Sequence, residues 1–369
     1  MRAALIGCAS ARLETVTAAE IASRLEAAVA SDEAPSVVFG AVHADGPTIV
    51  RAAGRACLAP PRDAAPDSVY PWFSVTKLFT ATAIVQLSEQ GQVDLDAPLV
   101  TYLPERRLEK NERRVTVRHL LSHSAGLRSP NPIPWMHLVG EEGPCLDALT
   151  DRLLSQHPGL AFEPGTKCRY SHLGYLLLGQ IVERVSGERY RDYVERHLLA
   201  PLGCEATGFQ WRAAAASGYQ RRAGITGLGV RWMLDRRFFG ESVGSYWALR
   251  PFAVDGAPYG GLSGPMPDLL RFARAVLTGG QAEHGRILRE SSVRSMLSPS
   301  RSVDGREFQF GLGWELGSVG GETHAFHVGG GGFRSEIRLY PGLGYGVAVL
   351  ANETSFPTDD LLRLVVRIP

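Results

Sequence analysis

Lysine is rare in this chain of 369 residues: only three of the 39 basic residues are lysines, at positions 77, 110 and 167. An arginine side chain stays protonated in proteins, whereas a lysine buried near other charges can lose its proton. A catalytic base that must accept a proton can therefore be a lysine but not an arginine. This makes Lys77, Lys110 and Lys167 the first side chains to inspect for chemistry.

Cysteine is also scarce, and neither an excess of one charge nor a long apolar run is present. The five cysteines are odd in number and show no Cys-x-x-Cys or Cys/His spacing, so we expect neither a disulfide framework nor a bound metal. A net charge of +1 argues against a nucleic-acid partner. No apolar run approaches the length of about 18 residues that a membrane span needs, so we expect no membrane span.

The first residues carry a short pattern, Leu5-Ile6-Gly7-Cys8, that resembles a bacterial lipobox. The apolar stretch before it is too short for a lipoprotein signal or for a secretory signal peptide. Free thiols fit a reducing compartment. These features together favour a cytoplasmic protein.

The length predicts two domains, or one domain with a large insertion. Alternating and apolar runs near both ends predict strands over 36–42, 48–53, 310–316, 325–328, 335–340 and 345–352. The region between them has helical periodicity. We therefore predict an α+β fold with an antiparallel sheet flanked by helices, built from residues 14–72 and 281–369, and a mainly helical domain inserted over 73–280. The active site is expected between the two.

Helical periodicity, caps and glycine stops predict the individual helices. They are expected over 14–31, 74–90, 116–123, 172–185, 188–199, 267–280 and 358–366. Residues 57–70, rich in proline, alanine and aspartate, are expected to form a connecting loop.

Among the three lysines, Lys77 has a nucleophile nearby. Ser74-Val75-Thr76-Lys77 places a serine and a lysine three residues apart at the start of an apolar helix. This spacing puts both side chains on one helix face. A serine is a weak nucleophile until a base removes its proton, and a desolvated neutral lysine can do so. Taken alone, the pattern also fits a serine at a helix start and an unrelated lysine.

Two further segments carry polar groups suited to proton transfer or substrate binding. Tyr170-Ser171-His172 lies where a loop enters a predicted helix, and His327-Val328-Gly329-Gly330 ends a predicted strand. A tyrosine can shuttle protons if a nearby lysine lowers its pKa, and glycines at a strand edge allow a substrate close to the backbone. Taken singly, Tyr170 reads as a packed aromatic residue and His327 as a structural histidine.

The combination of these motifs resembles the serine β-lactamase and penicillin-binding-protein superfamily, in its class C, esterase and D-peptidase-like branch. The resemblance extends over roughly residues 20–355 and rests on several segments. They are 73–77 (FSVTK), 91–96 (GQVDLD), 102–104 (YLP), 115–127 (VTVRHLLSHSAGL), 162–166 (FEPGT), 175–179 (YLLLG), 260–262 (GGL), 310–314 (FGLGW) and 327–330 (HVGG).

The resemblance implies a β-lactamase-like fold and a catalytic set. Ser74 would be the acyl-accepting nucleophile, with Lys77 and Tyr170 as the base pair. Tyr170 would protonate the leaving group and later activate water. The backbone N–H groups of Ser74 and Gly330 would form the oxyanion hole, which is worth several kcal/mol in a transition state. No cofactor is implied.

Two departures from the family pattern bear on the substrate. The family's Tyr-x-Asn reads Tyr170-Ser171-His172 here, and its Lys-Thr-Gly reads His327-Val328-Gly329. The missing asparagine normally holds an amide side chain, and the missing lysine helps to bind a carboxylate. We therefore interpret His172, His327 and Gly329 as substrate-binding residues and expect a carboxylesterase, with a small-molecule ester or amide as partner.

Other functions remain open from the sequence. They are a β-lactamase or D-amino-acid peptidase, an acyltransferase, and a binder or sensor that is acylated without turnover. A monomer or a small homo-oligomer is expected.

Three further groups of residues were weighed for a role. Gly240-Glu241-Ser242-Val243-Gly244 matches a nucleophile elbow, but the flanking residues fit neither the strand nor the helix that an elbow needs. His119 and His123 are interpreted as structural. The aromatic residues within 205–259 either line a substrate pocket or pack in the core; they are Trp211, Trp232, Phe238, Phe239, Tyr246 and Trp247.

Overall fold

The computed structural model describes residues 12–106, 108, 115–211 and 214–367. Lys110 and the Leu5-Ile6-Gly7-Cys8 pattern lie outside the described residues.

The strands and helices follow one another along the chain in a mixed order. In chain order the strands are β1 (Glu14–Val16), β2 (Ser36–His43), β3 (Thr48–Leu58), β4 (Pro61–Asp63), β5 (Tyr70–Pro71), β6 (Met136–Leu138), β7 (Tyr219–Arg221), β8 (Phe239–Val243), β9 (Tyr246–Leu249), β10 (Phe252–Val254), β11 (Ser263–Gly264), β12 (Gln281–Ala282), β13 (Gly285–Arg286), β14 (Glu315–Val319), β15 (Glu322–Gly330), β16 (Arg334–Tyr340), β17 (Tyr345–Ala351) and β18 (Leu364–Val366). The helices are α1 (Ala18–Ala30), α2 (Thr76–Glu89), α3 (Val117–Leu121), α4 (Leu146–Gln156), α5 (His172–Ser186), α6 (Tyr190–Val194), α7 (Ala200–Leu202), α8 (Gly224–Met233), α9 (Ala257–Gly260), α10 (Met266–Leu277) and α11 (Glu290–Met296).

The main sheet has seven strands in the order β14-β15-β16-β17-β2-β3-β4. Every neighbouring pair is antiparallel. Strands from the start and the end of the chain meet where β17 pairs with β2. The prediction of an antiparallel sheet built from both chain ends is therefore confirmed.

Both faces of the central strands are covered by helices. On β2, Val37 and Phe39 pack in one cluster with Ile21 and Leu25 of α1. Residues of β2 that point the opposite way join a second cluster with Met266 of α10. Successive residues of a strand point to opposite faces, so one strand can serve two cores. This explains why β2 and β17 are apolar at almost every position rather than alternating.

The helical region is organised around α2, which is buried on all sides from Thr76 to Val85. Helix α5 is its main neighbour and is also buried along most of its length. Ser171 caps α5 by accepting a hydrogen bond from the Gly174 N–H at 3.3 Å, and Gly187 ends it in the left-handed conformation. These two helices therefore hold the catalytic candidates of 74–77 and 170–172 in a fixed relation.

One predicted helix is wrong and another begins later than expected. The helix expected over 358–366 is a short 3₁₀ turn, Leu361–Arg363, followed by strand β18. This strand pairs in parallel with β1, so the helix expected over 14–31 begins only at Ala18. Apolar residues alternate with partly exposed ones in Leu364-Val365-Val366, and β-branched residues of that kind favour a strand. The pairing partner lies 350 residues away along the chain, which local periodicity cannot reveal.

Two other regions differ from their predictions in extent. Strand β3 continues to Leu58 and forms a hairpin with β4 inside the segment expected to be a loop. The region predicted as helical also contains the three-stranded sheet β7-β9-β8 and the pair β6-β10. The strand expected over 310–316 begins only at Glu315.

The boundary between the two domains is a proposal, and the packing of α10 shifts where we place it. Helix α10 lies against the main sheet. A Cβ atom added at Gly40 would lie 2.6 Å from Met266 Cγ and 2.8 Å from Leu270 Cδ1. We therefore propose a boundary before α10, near residue 265, instead of the expected one at 280. Among the described residues, no helix is both long and apolar enough to cross a bilayer.

Candidate active site

Ser74 lies in a 3₁₀ turn, Phe73–Val75, that leads directly into α2. It is the one residue between Ser68 and Val85 that is not buried. Phe73 before it has a φ of 44°, in the left-handed region that costs a bulky residue on the order of 1–2 kcal/mol. The surrounding packing of Phe73 against Phe252 and Phe333 holds this conformation. The turn therefore presents a partly exposed hydroxyl on an otherwise buried helix start.

Lys77 is completely buried and its amine has three hydrogen-bond partners. Its Nζ lies 3.0 Å from Ser74 Oγ, 2.8 Å from the carbonyl oxygen of Tyr259 and 3.2 Å from His172 Nδ1. The rings of Tyr170, Tyr175 and Tyr259 surround it, with centroids at 5.0, 5.5 and 5.2 Å from Nζ.

No carboxylate within 4.0 Å pairs with the Lys77 amine in the described part of the chain. Burial lowers the pKa of Lys77 well below its ordinary value, although Glu315 acts weakly in the opposite direction. Burial therefore favours the neutral form of this amine, which is held next to a serine hydroxyl. This is the state that a general base needs before it accepts a proton.

Tyr170 lies over the same amine and is hydrogen-bonded to Ser74. Its ring contacts those of His123, at a centroid distance of 4.5 Å, and His327, at 5.9 Å. Burial raises the pKa of Tyr170 well above its ordinary value, although the hydrogen bond with Ser74 lowers it in part. The expectation that a neighbouring lysine lowers the pKa of Tyr170 is wrong, because burial dominates and raises it. Tyr170 is therefore a protonated phenol in the resting site.

The last residues of β15 border the Ser74 turn. Strand β14 pairs only with Glu322 to Phe326, so no strand of the described ranges covers that edge of β15 beyond Phe326. A Cβ built at Gly329 would lie 2.4 Å from the Trp72 carbonyl oxygen and 3.1 Å from Phe73 Cβ. Gly330, the next residue, is exposed. Glycine at 329 therefore lets the strand approach the turn that carries Ser74.

This close approach gives a first testable prediction. We expect Gly329→Ala to lower the melting temperature, because overpacking typically costs about 1–3 kcal/mol. Gly330→Ala is the matched control, since a Cβ there meets nothing nearer than 3.7 Å. Thermal unfolding followed by circular dichroism measures both variants. Equal melting temperatures for the two variants would contradict the steric role of Gly329.

His327 is fully buried near the site and is uncharged. Its Nδ1 accepts a hydrogen bond from the Val328 N–H at 2.9 Å, so the proton of the neutral ring is on Nε2. Burial, followed by the nearby Lys77, lowers the pKa of His327 to about 3. Glu315 Oε1 lies 3.9 Å from Nδ1, and burial raises the pKa of that carboxyl group to about 7. His327 therefore supplies no positive charge at the position where the family's lysine would stand.

Three contributors to the site were not selected from the sequence as functional residues. Tyr259 offers its backbone carbonyl to Lys77, and Trp135 lies edge-on to His172 at a centroid distance of 6.2 Å. His123, interpreted as structural, accepts a hydrogen bond from the Ser171 N–H at 3.2 Å and stacks against Tyr170. In the sequence, His123 lies within the segment 115–127 and Tyr259 lies directly before the segment 260–262. Those segments carried the family resemblance but did not predict what these two residues contact.

The aromatic residues of 205–259 divide into different roles. Trp211 lines a small pocket of about 30 Å³ beside Phe73, together with Phe209 and Phe252. Trp232, in contrast, is 89% exposed. Phe238 packs edge-on against Phe252, with centroids 6.1 Å apart. The segment is therefore part pocket wall and part surface.

Ser242 has no elbow geometry. It lies on β8, where it pairs with Trp247, and a turn to β9 follows instead of a helix. Ser242 is exposed, as expected for a surface strand position. Among the described residues, no group of three or more His, Cys, Asp or Glu side chains could hold a metal ion.

A serine, a buried lysine and a tyrosine thus lie together on an α+β scaffold, and comparison with known proteins gives the family. Residues 21–367 match the family model described as Beta-lactamase. The chain therefore belongs to the beta-lactamase family, as the sequence motifs implied.

Individual relatives support this assignment. The chain is 30% identical over 319 residues to penicillin-binding protein 4 of Amycolatopsis lactamdurans, covering 82% of this chain and 79% of the relative. It is 26% identical to penicillin-binding protein 4* of Bacillus subtilis, of which it spans only about half, 52%; that match covers 68% of this chain. A D-stereospecific amidohydrolase from Streptomyces sp. superposes with a TM-score of 0.70 at 25% identity, covering 94% of this chain and 97% of the other. The predicted β-lactamase-like α+β fold is thus confirmed.

Proposed function

We propose that this chain is a serine carboxylesterase that works through an acyl-enzyme on Ser74. The observation that carries the proposal is the 3.0 Å contact between Ser74 Oγ and the Nζ of a fully buried lysine. A serine next to an uncharged amine is activated without a histidine–aspartate pair.

The proposed acylation starts with proton transfer from Ser74 Oγ to Lys77 Nζ. The oxygen then attacks the ester carbonyl, and the N–H groups of Ser74 and Gly330 stabilise the resulting oxyanion. Tyr170 donates its proton to the leaving alkoxide, and Lys77 returns the serine proton to Tyr170. The alcohol leaves with one proton, and both protein groups regain their starting states.

Deacylation reverses these steps with water in place of the alcohol. Tyr170 and Lys77 accept a proton from the attacking water, and the collapse of the tetrahedral intermediate returns one proton to Ser74 Oγ. The same groups thus serve as acid in one half-reaction and base in the other. The products are a carboxylic acid and the free enzyme.

The preference for an ester rests on what surrounds the site. The buried His327, with a pKa of about 3, cannot anchor a substrate carboxylate by charge. His172 stands in place of the asparagine that would hold an amide side chain, and its Nδ1 faces Lys77. We propose His172, His327 and Gly329 as residues that border the bound substrate, which is an uncharged small-molecule ester.

A panel of substrates tests the proposal. We expect p-nitrophenyl esters of short and medium acyl chains to be hydrolysed with a higher kcat/KM than nitrocefin or D-phenylalanine amide. Faster nitrocefin turnover would move the function to a β-lactamase. Product formation that stops after one equivalent would indicate an acylated binder, and faster acyl transfer to an added alcohol would indicate an acyltransferase.

A second candidate function is hydrolysis of D-configured amides. The similarity to the Streptomyces amidohydrolase, at 25% identity over 94% of this chain, favours it. Faster turnover of D-phenylalanine amide than of any ester in the panel, with the L-amide unreactive, would select this candidate.

A further inference from the structure

The three partners of the Lys77 amine impose a bonding pattern on it. A carbonyl oxygen only accepts hydrogen bonds, so one N–H of Lys77 must point at Tyr259, 2.8 Å away. A neutral amine has one more N–H and a single lone pair. If the lone pair is to accept the Ser74 proton at 3.0 Å, the second N–H must point at His172 Nδ1, at 3.2 Å.

We propose that His172 is a positioning residue for the Lys77 base: its unprotonated Nδ1 accepts the second N–H and so directs the lone pair at Ser74. The inference rests on the proposed role of Lys77 as the base. It assigns the imidazole proton of His172 to Nε2. An acceptor at this position is required, because a donor there would turn the lone pair away from the serine.

The same acceptor serves the next state of the reaction. After Lys77 has taken the serine proton, its ammonium group has three N–H donors and needs three acceptors. Tyr259 O, His172 Nδ1 and the former hydroxyl oxygen of Ser74 supply one each. Hydrogen bonds from a charged donor are roughly twice as strong as neutral ones. His172 therefore stabilises the protonated form of Lys77, in addition to aligning the lone pair of its neutral form with Ser74.

The imidazole is held in this orientation by its surroundings. Ring contacts with Tyr170, Trp135 and Tyr259 meet it at interplanar angles of 87°, 82° and 67°. Its backbone is fixed because it is the first residue of α5. The ring is therefore packed on three sides by aromatic side chains.

The groups that face His172 also keep its ring uncharged. Lys77 of α2, Tyr259 of α9 and the adjacent Tyr170 pack against the ring. Burial lowers the pKa of His172 well below its ordinary value, so the imidazole ring is not protonated on both nitrogens.

Two substitutions with matched shapes test the proposal. In His172→Asn, Oδ1 stands at the same bond distance from Cα as Nδ1 and preserves the acceptor. In His172→Leu, an apolar methyl group takes that place. We expect His172→Leu to slow acylation about 100-fold with KM nearly unchanged, as for loss of general-base alignment. We expect His172→Asn to stay within about fivefold of the parent.

Acylation is measured in two ways so that failure of the proposed ester function can be recognised separately. One is the burst of p-nitrophenol from p-nitrophenyl acetate; the other is labelling of Ser74 by a fluorophosphonate, followed by intact mass. If the fluorophosphonate labels Ser74 of the parent protein but no ester is hydrolysed, the proposed ester function fails. The relative labelling rates of the parent, His172→Leu and His172→Asn then still decide the role of His172. Melting temperatures confirm that each variant is folded.

Three results would overturn the proposal. They are labelling of His172→Leu at the parental rate, His172→Asn as slow as His172→Leu, and a loss confined to KM. The last result would make His172 a substrate-binding residue only.

Discussion

Ser74→Ala is expected to lower kcat/KM for p-nitrophenyl butyrate by roughly 10⁴–10⁶-fold, as for loss of the nucleophile in other serine hydrolases. The reason is chemical: without Oγ no acyl-enzyme can form, and only binding and the oxyanion donors remain. The change removes one oxygen from a partly exposed residue. We therefore expect the fold to be unaffected. Steady-state kinetics and intact mass after incubation with substrate measure the two consequences.

Ser242→Ala is the matched control for this prediction. Ser242 is an exposed residue of β8 in the chain's only Gly-x-Ser-x-Gly sequence pattern. We expect this variant to keep parental kcat/KM and to form the same acyl adduct. Activity that survives in Ser74→Ala, or that disappears in Ser242→Ala, would refute the assignment of the nucleophile.

Lys77→Arg is expected to have the second large effect, a loss of about 10²–10⁴-fold in the acylation rate constant. Arginine keeps a positive charge and a long side chain, but it does not lose its proton in proteins. The neutral base would be replaced by a permanent cation beside Ser74. The burst rate of p-nitrophenol release in a stopped-flow instrument measures this step directly.

Lys167→Arg is the control for the Lys77 substitution, because Lys167 is exposed and the exchange is chemically identical. It should leave the burst rate unchanged. The pH profile adds a further criterion. A base works only when unprotonated, and the pKa of Lys77 lies well below its ordinary value, so parental activity should reach its plateau at a pH well below the ordinary pKa of a lysine. An activity that rises only above pH 10, or a Lys77→Arg variant near the parental rate, would remove Lys77 from this role.

The sequence predicted those parts of the site that lie close together along the chain. Ser74 and Lys77 are three residues apart at a helix start, and that spacing places both side chains on one helix face. Tyr259 contributes a backbone carbonyl, and side-chain identity carries no information about where a carbonyl points. The distance between Lys77 and His172, 95 residues apart in sequence, depends on how α2 packs on α5. Such packing follows from the whole core, not from any local pattern.

The strands of the fold also divide into those that the sequence predicted and those that it missed. Strands β2 and β17 were predicted nearly to their observed ends because buried central strands have continuous apolar runs. Strand β18 was missed because three residues gain their hydrogen bonds from β1 at the other end of the chain. The sheet β7-β9-β8 was missed because its strands are short and partly exposed.

Three tyrosine rings and neutral hydrogen-bond partners enclose Lys77. This enclosure separates the proton transfer at Lys77 from the charges elsewhere on the protein. With no carboxylate paired to it among the described residues, the amine is tuned by burial rather than by a balance of surface charges. Mobile ions screen charges that face water far more than buried ones. The arginine-rich exterior can therefore change in sequence, for solubility or for a new partner, while the proton affinity of the base stays the same.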